Sequence, residues 1–522
     1  MFNKKVLLLF ICICHLSNGI NVLLATMGGT KSHTVPFVAL GTALRDRGHN
    51  VTLLSAFTGP AANNGLRELV PSILEAYVGN YTSEWDLIGS RYRNELPLSP
   101  WDAMRYGWES CESILRDETT VANIRKPVPF DNESIDNHWD VAVIDGAFPE
   151  CLLGILYGQS IPTVMLNTVA LYSGSLSRQG NPSPWSITPY FGKSFTQDMN
   201  FLERVINVAC LGVLEMMHWI MTTGYIQPVI RKYIGNHVPD VRELISDVPL
   251  TLQNTHHSVS ESFPYLSNVV NVACLHCRSP MRLSPDLDLF LRKGFIFVSM
   301  GSSVRASGMP DSLREMFIGA FTTLPYNVIW KWEGSKIDNL PSNVRIGAWW
   351  PQQELLGHSE LRAFVSHGGL LSLHEAAYHG VPTLVLPVFC DHDGNAAQAE
   401  KLGYARVMNL ATITINELRE GILKISQKRD NTYREAAKYR SMLMKDQPIE
   451  PKKLAVWSVE HVARYGGEHL KSSTRFMGVL RYYSIDVFIF YIAIFIFLLQ
   501  SFRILTRKTY FKHVQIMKKK KD

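Results

Sequence analysis

A chain of 522 residues has room for two or three domains with separate cores, and its 46% hydrophobic residues supply the apolar surface they need. The formal charge of +6 sits at the ends: residues 503–522 carry eight Lys or Arg against one Asp, Lys4 and Lys5 add two more, and the body is left at about −3. A basic pI that belongs to a tail excludes a nucleic-acid-binding face on the body.

In chain order, Lys4 and Lys5 precede an apolar run, Val6 to Leu16, and Ser17-Asn18-Gly19 then supplies a small-x-small cleavage pattern. The run is too short to span a bilayer, so residues 1–19 are expected to be a secretory signal peptide and the mature chain to start near Ile20. Asn21 to Thr26 reads as a short strand, followed by GGTKSH and a helix ending at Arg47-Gly48; Val51 to Ser55 and Val141 to Ile144 are further strands. Sequons at Asn50, Asn80 and Asn132 are candidate N-glycosylation sites of a secreted body, although Asn50 opens a strand of buried type, which counts against its occupancy. Six Cys remain once the signal leaves, and their pairing cannot be read from the sequence.

A polar segment near Ser279 to Asp288 separates this set from a second: strands at Phe295 to Ser299, Val328 to Trp332, Ala363 to Val365 and Thr383 to Leu386. Strands alternating with helices imply parallel sheets. The simplest account is two doubly wound α/β domains, residues 20–278 and 279–470, with ligands held in the cleft between the carboxyl ends of their strands. Tyr482 to Phe502 is apolar and, at about 31 Å as a helix, long enough for one membrane crossing. Residues 503–522 are then a basic cytoplasmic tail, which places the body on the lumenal or extracellular side as in a type I membrane protein.

The stretch from Phe364 to Ala396 holds most of the candidate chemistry. A zinc reading of His374, Glu375 and His379 fails, because the two His are five residues apart and leave the common helix face that four would give. Cys274-Leu-His-Cys277 lacks a second ligand pair, and Gly192-Lys-Ser lacks the earlier Gly of a P-loop. No G-x-G-x-x-G and no G-x-S-x-G occurs, which counts against dinucleotide oxidoreductases and serine hydrolases. What survives is a phosphate cradle. Ser366-His367-Gly368-Gly369 follows a strand and opens a helix from about Leu371 to His379, so the backbone can approach a ligand and free N–H groups can meet a phosphate. Glu375, one turn in, can accept hydrogen bonds from the vicinal hydroxyls of a ribose, and Asp391-His392 falls at the end of the next strand, within reach of a sugar.

These runs resemble the UDP-glucuronosyltransferases and related family-one UDP-glycosyltransferases. The matching segments are Phe297-Val-Ser-Met-Gly-Ser-Ser303, Trp349-Trp-Pro-Gln-Gln-Glu-Leu-Leu-Gly-His358, Ala363 to Ala396, Lys445-Asp-Gln-Pro448 and Ala455 to Leu470. The resemblance implies the GT-B fold, two Rossmann-like domains facing across a cleft, plus one C-terminal transmembrane helix. It implies that Trp349 stacks on uracil, Gln352 bonds the nucleoside, and Ser302, His367 and the backbone at Gly369 and Ser372 hold the diphosphate. Glu375 would bind the ribose, and Asp391 with His392 the transferred sugar. It further implies catalysis by His33, the base, and Asp145, its partner, with no metal and no cofactor beyond the UDP-sugar as co-substrate. His33 at a helix start is disfavoured as imidazolium, and Asp145 at a strand end can fix its tautomer.

The partners implied are a UDP-sugar, a small lipophilic hydroxyl acceptor, a membrane and an oligomer with itself or relatives, but no nucleic acid. Lys519 and Lys520 stand fourth and third from the C-terminus, similar to a dilysine retrieval signal, so the expected location is the endoplasmic reticulum membrane with the body lumenal. Two positions depart from the family pattern. His392 stands where Gln is usual, so charged it would favour glucuronate and neutral it would admit UDP-glucose as donor. Leu371 stands where an Asn is common. A non-catalytic UDP-sugar or lipophile binder is the competing class. Trp85, Trp101, Trp108, Trp185, Tyr190, Phe191 and the run Met216 to Trp219 are read as core or as the lining of a lipophilic pocket.

Overall fold

The computed structural model describes residues 19–126, 138–168, 174–427 and 432–520. The first sheet is built from β1 (Asn21–Ala25), β2 (Asn50–Leu54), β3 (Arg67–Leu69), β4 (Val141–Asp145), β5 (Thr163–Asn167), β6 (Leu250–Gln253) and β7 (Val269–Asn271). Its order is β3-β2-β1-β4-β5-β6-β7, and every pair is parallel. The runs Val22-Leu-Leu-Ala25 and Val141-Ala-Val-Ile144 are apolar on both faces because helices cover the sheet on both sides.

The second sheet contains β8 (Phe295–Ser299), β9 (Asn327–Lys331), β10 (Val344–Gly347), β11 (Leu361–Ser366), β12 (Thr383–Val385) and β13 (Ala405–Val407). Its order is β10-β9-β8-β11-β12-β13, again all parallel. In each sheet the winding reverses at one point, between β1 and β4 and between β8 and β11. There the connections leave to opposite faces and open a crevice at the strands' carboxyl ends. Both domains are therefore Rossmann-like, and the carboxyl ends of all four switch-point strands carry candidate site residues.

The chain crosses from the first sheet to the second between Asn271 and Phe295 and returns once. Helix Pro451–Tyr465 lays Ala455, Val456, Val459 and Val462 into the core that includes Val22, Leu24, Phe37 and Leu40. Its Glu460 pairs with Arg47 and His49, each at 3.0 Å, which fixes the second domain's last helix on the first domain. Disulfides join Cys111 to Cys151 and Cys274 to Cys277, while Cys210 and Cys390 are free thiols. The terminal helix, Ile485–Lys519, starts in the apolar segment and runs on through most of the basic tail. By length and composition it is a candidate membrane span.

Candidate active site in the interdomain cleft

At the first switch point, β1 leads through Gly28 to a single 3₁₀ turn, Lys31–His33, and into helix Thr34–Arg45. Gly28 is required by packing: a Cβ there would lie 2.2 Å from the His33 Cγ. β4 ends on Asp145, whose side chain is only 2% exposed. Asp145 is nonetheless well satisfied, since Thr26 Oγ1 donates to its Oδ2 at 2.7 Å and the Ala147 amide to its Oδ1 at 3.1 Å. His33 Nδ1 is 3.3 Å from Asp145 Oδ2 and 2.9 Å from Thr168 Oγ1, and Thr168 in turn donates to Asp145 Oδ1 at 3.3 Å. The assignment that satisfies all three groups puts the proton on Nδ1, leaving a bare Nε2 for a substrate.

At the second switch point, β11 delivers His367, Gly368 at φ +92° and Gly369, from which helix Leu370–His379 starts with no side chain capping its first amides. Those free N–H groups and the helix field favour an anion. The His367 ring is enclosed, because a Cβ on Gly301 or on Gly369 would lie 2.5 Å from it. Burial, reinforced by the Lys331 ammonium, lowers His367 to about 3, so it is neutral. Lys331 donates to the Gly301 carbonyl at 2.8 Å and pairs with Glu333.

One turn along, Gln352 Nε2 donates to Glu375 Oε2 at 2.5 Å and to Ser372 Oγ at 3.3 Å, while His276 Nε2 lies 3.1 Å from Glu375 Oε1. Trp349 is 72% exposed, with Lys331 Nζ 5.6 Å from its ring centroid. An indole that buries little of itself is available as a platform for a base. Trp349→Ala should therefore raise the KM for UDP-sugar by about 5- to 100-fold, the worth of one stacked base, and leave thermal stability unchanged. Ser302 stands exposed in the turn after β8.

Past β12, Asp391 is 8% exposed and accepts from Asn395 Nδ2 at 2.7 Å; the same amide also donates to the Gly368 carbonyl at 3.2 Å, tying the two loops together. Burial pushes the Asp391 carboxyl above its usual range. His392 is also buried, edge-on to His367 with ring centroids 4.6 Å apart, and burial holds it well below the usual imidazole value. Burial thus favours the neutral form of His392.

The two halves meet across the cleft. Arg91 of the first domain pairs with Asp393 of the second at 2.6 Å. A cavity of about 280 Å³ lies between them, lined by His33, Trp85, Met104, Tyr106 and Phe148 on one side and Val388, Phe389 and Asp393 on the other. A second cavity, of about 190 Å³, adjoins Asp391, Asn395 and Asn254, and Tyr190, Phe191 and Leu214 line both. Every residue singled out above for donor or acid–base work falls at one of the two switch points or their rims. The residues that sequence reasoning missed are Thr26, Thr168, Arg91, His276, Lys331 and Asn395; His276 stands in the Cys-Leu-His-Cys run and Asn395 in the Ala363–Ala396 block without being singled out, and the other four stand in no motif. Met216 and Trp219 are neither core nor pocket lining but more than half or half exposed, at 55% and 50%.

Of the three sequons, Asn50 is half-buried and donates to Asn21 Oδ1 at 3.1 Å, Asn80 is exposed on helix Ser72–Ser83, and Asn132 lies outside the described residues. Among the described residues, the one cluster of three metal-type ligands is Cys274, His276 and Cys277, and its two sulfurs are bonded to each other.

Two facing Rossmann-like domains, with an uncapped helix start at the switch point of one and a carboxylate-backed histidine at that of the other, have the GT-B architecture of glycosyltransferases. The chain belongs to the "UDP-glucoronosyl and UDP-glucosyl transferase" family, which it matches over residues 33–521. It is 30% identical to UDP-glucosyltransferase 2 of Dactylopius coccus, over 95% of this chain and 94% of that one. It is 28% identical to 2-hydroxyacylsphingosine 1-beta-galactosyltransferase of Mus musculus, over 88% and 82%. Among solved structures, the glycotransferase of kitacinnamycin superposes with a TM-score of 0.58 at 16% identity, over 86% of this chain and 99% of that one, a likeness of fold.

Proposed function

We propose that this UDP-glycosyltransferase moves a neutral hexose from UDP-sugar to a hydroxyl of a small lipophilic acceptor, with His33 as base and inversion at the anomeric carbon. The observation that carries the reading is the His33–Thr168–Asp145 relay at the wall of a largely apolar cavity whose opposite wall is the Val388–Asp393 loop. His33 Nε2 takes the acceptor's proton as its oxygen bonds to the anomeric carbon. The bond from that carbon to the UDP oxygen breaks, and its electron pair leaves with UDP toward the first turn of helix Leu370–His379. Asp145 stabilises the imidazolium formed. Attack from the face opposite the leaving group inverts the centre. Trp349 would carry the uracil, Gln352 and Glu375 the nucleoside, and Ser302, His367, Gly369 and Ser372 the diphosphate.

The choice of a neutral sugar follows from charge. His392 and His367 are neutral, and the two cations acting on them, Arg91 and Lys331, are already paired with Asp393 and Glu333. A sugar carboxylate beside Asp391 would add a negative charge that, among the described residues, neither of these two paired cations is free to meet. Membranes containing the full chain, given phenolic acceptors with UDP-glucose, UDP-galactose and UDP-glucuronate separately, should yield product from a neutral donor. The donor preference should not change between about pH 6 and 8, because burial holds His392 well below its usual imidazole value, whereas His392→Gln should shift it. Glucuronide as the main product would overturn the neutral-donor reading. UDP-sugar binding without turnover of any acceptor would favour a non-catalytic binder.

The same reading puts the body in the lumen of the endoplasmic reticulum. The signal-like pattern of residues 1–19, the apolar start of helix Ile485–Lys519 and a basic tail ending in Lys519-Lys520-Lys521-Asp522 support it, as does the exposed sequon at Asn80.

A further inference from the structure

Helix Phe201–Ile220 is built the wrong way round for a water-facing helix. Phe201, Leu202, Val205, Val213, Met216 and Trp219 are 73, 66, 50, 51, 55 and 50% exposed. At 3.6 residues per turn they share one face with Ala209 and Gly212, and no charged residue falls on it. The helix's charges are all turned inward or to its ends. Glu203 closes the capping box with Asn200, Arg204 donates to the Met199 carbonyl, Glu215 pairs with Arg178, and buried His218 pairs with Glu150. A contiguous apolar face of this kind marks a contact surface.

What covers it is indicated by its neighbours. The segment just before the terminal helix, Ser473–Phe476, docks on the first domain, with Thr474 Oγ1 donating to the Gly180 carbonyl at 2.7 Å. Two residues before Gly180, Arg178 reaches Glu215 of helix Phe201–Ile220 at 3.6 Å. One short segment thus ties the foot of the candidate span to this helix. Phe476, Val479 and Leu480, at the foot of the candidate span, are themselves exposed apolar residues, at 67, 67 and 60%. The inner side of the same helix supplies Leu214 and His218 to the large cavity.

Resting on the membrane anchorage proposed above, we infer that the outer face of helix Phe201–Ile220 lies in the headgroup and acyl boundary of the bilayer that holds the terminal span. The helix lies on the leaflet and does not cross it, since buried Asn207, Leu211 and His218 commit its other side to the protein. A lipophilic acceptor dissolved in the bilayer is then one helix diameter from the cavity.

The test uses the full chain in phosphatidylcholine nanodiscs, with Cys210 and Cys390 changed to Ser and one spin label placed at Val213→Cys, Phe495→Cys or Tyr439→Cys. Relaxation by oxygen, which concentrates in lipid, is compared with relaxation by a water-soluble nickel chelate. The Val213 label should behave like the one at Phe495 in the span, with Tyr439 reporting water. A Val213 label that meets the nickel chelate, or is shielded from both agents by a second protein copy, overturns the inference while a lipid signal at Phe495 keeps the anchorage. A nickel-accessible Phe495 label sinks the anchorage and the inference with it. As an independent readout, Val205→Glu with Val213→Glu should raise the KM for an acceptor supplied in phosphatidylcholine vesicles and leave that for UDP-sugar unchanged; equal KM values for the acceptor would count against it.

Discussion

Replacing His33 with Ala is expected to lower kcat by about 10²- to 10⁴-fold, the usual worth of a positioned general base, with UDP affinity unchanged. The separation of the two effects is built into the fold. His33 belongs to the first domain's switch point and the diphosphate cradle to the second, so losing the imidazole removes no contact to UDP. Asp145→Asn should cost nearly as much, because an amide can hold the ring in the wrong tautomer and cannot stabilise its cation. Thr168→Val should cost less, since it removes the 2.9 Å bond to Nδ1 but leaves the carboxylate 3.3 Å away. Steady-state rates with a soluble phenol, beside UDP titration by calorimetry, give both quantities. A His33→Ala chain that retains most of its kcat would sink the base assignment.

That pair also shows where sequence reasoning runs out. The turn from β11 into helix Leu370–His379 was legible because a strand, two Gly and a helix start fall within one continuous stretch, Val365 to Glu375, whose local pattern dictates its backbone geometry. His33 and Asp145 lie 112 positions apart and meet only because β1 and β4 are neighbours across the switch point; residue type alone does not announce them. Thr168 is an unremarkable residue just beyond β5 that becomes part of the relay through sheet register. Arg91 and Asp393 are ordinary charges until the domains face each other. The disulfide Cys111–Cys151 joins two helices packed on the first sheet, and no spacing rule picks it from six Cys. Within the run Met216 to Trp219, Met217 packs on the core and His218 lines the cavity, but Met216 and Trp219 face outward, because a 3.6-residue apolar period says that a helix has an apolar face, not whether protein or lipid covers it.

The second large effect should come from a single methyl group. Gly369→Ala is expected to raise the KM for UDP-sugar by about 10- to 100-fold, the loss of one hydrogen bond to a charged phosphate at roughly 1.5–3 kcal/mol. Backbone strain is not the cause, because Gly369 has φ −62°, which any residue adopts. The cause is space: the added Cβ would sit 2.5 Å from His367 Nε2, at an edge of the ring that the Gly301 backbone also crowds, where a Cβ would likewise fall 2.5 Å from Nε2 and Cε1. Either the ring tilts or the helix start moves, and in both cases the free amides and the imidazole no longer point at one anion. Gly301→Ala attacks the same ring and adds strain, at φ +80°. Its donor affinity should fall at least as far, with some loss of stability that Gly369→Ala does not share. His367→Ala supplies the internal control. If the clash is the mechanism, Gly369→Ala in a chain already lacking the imidazole should cost little more, and full additivity of the two changes would show that Gly369 acts on the diphosphate by another route.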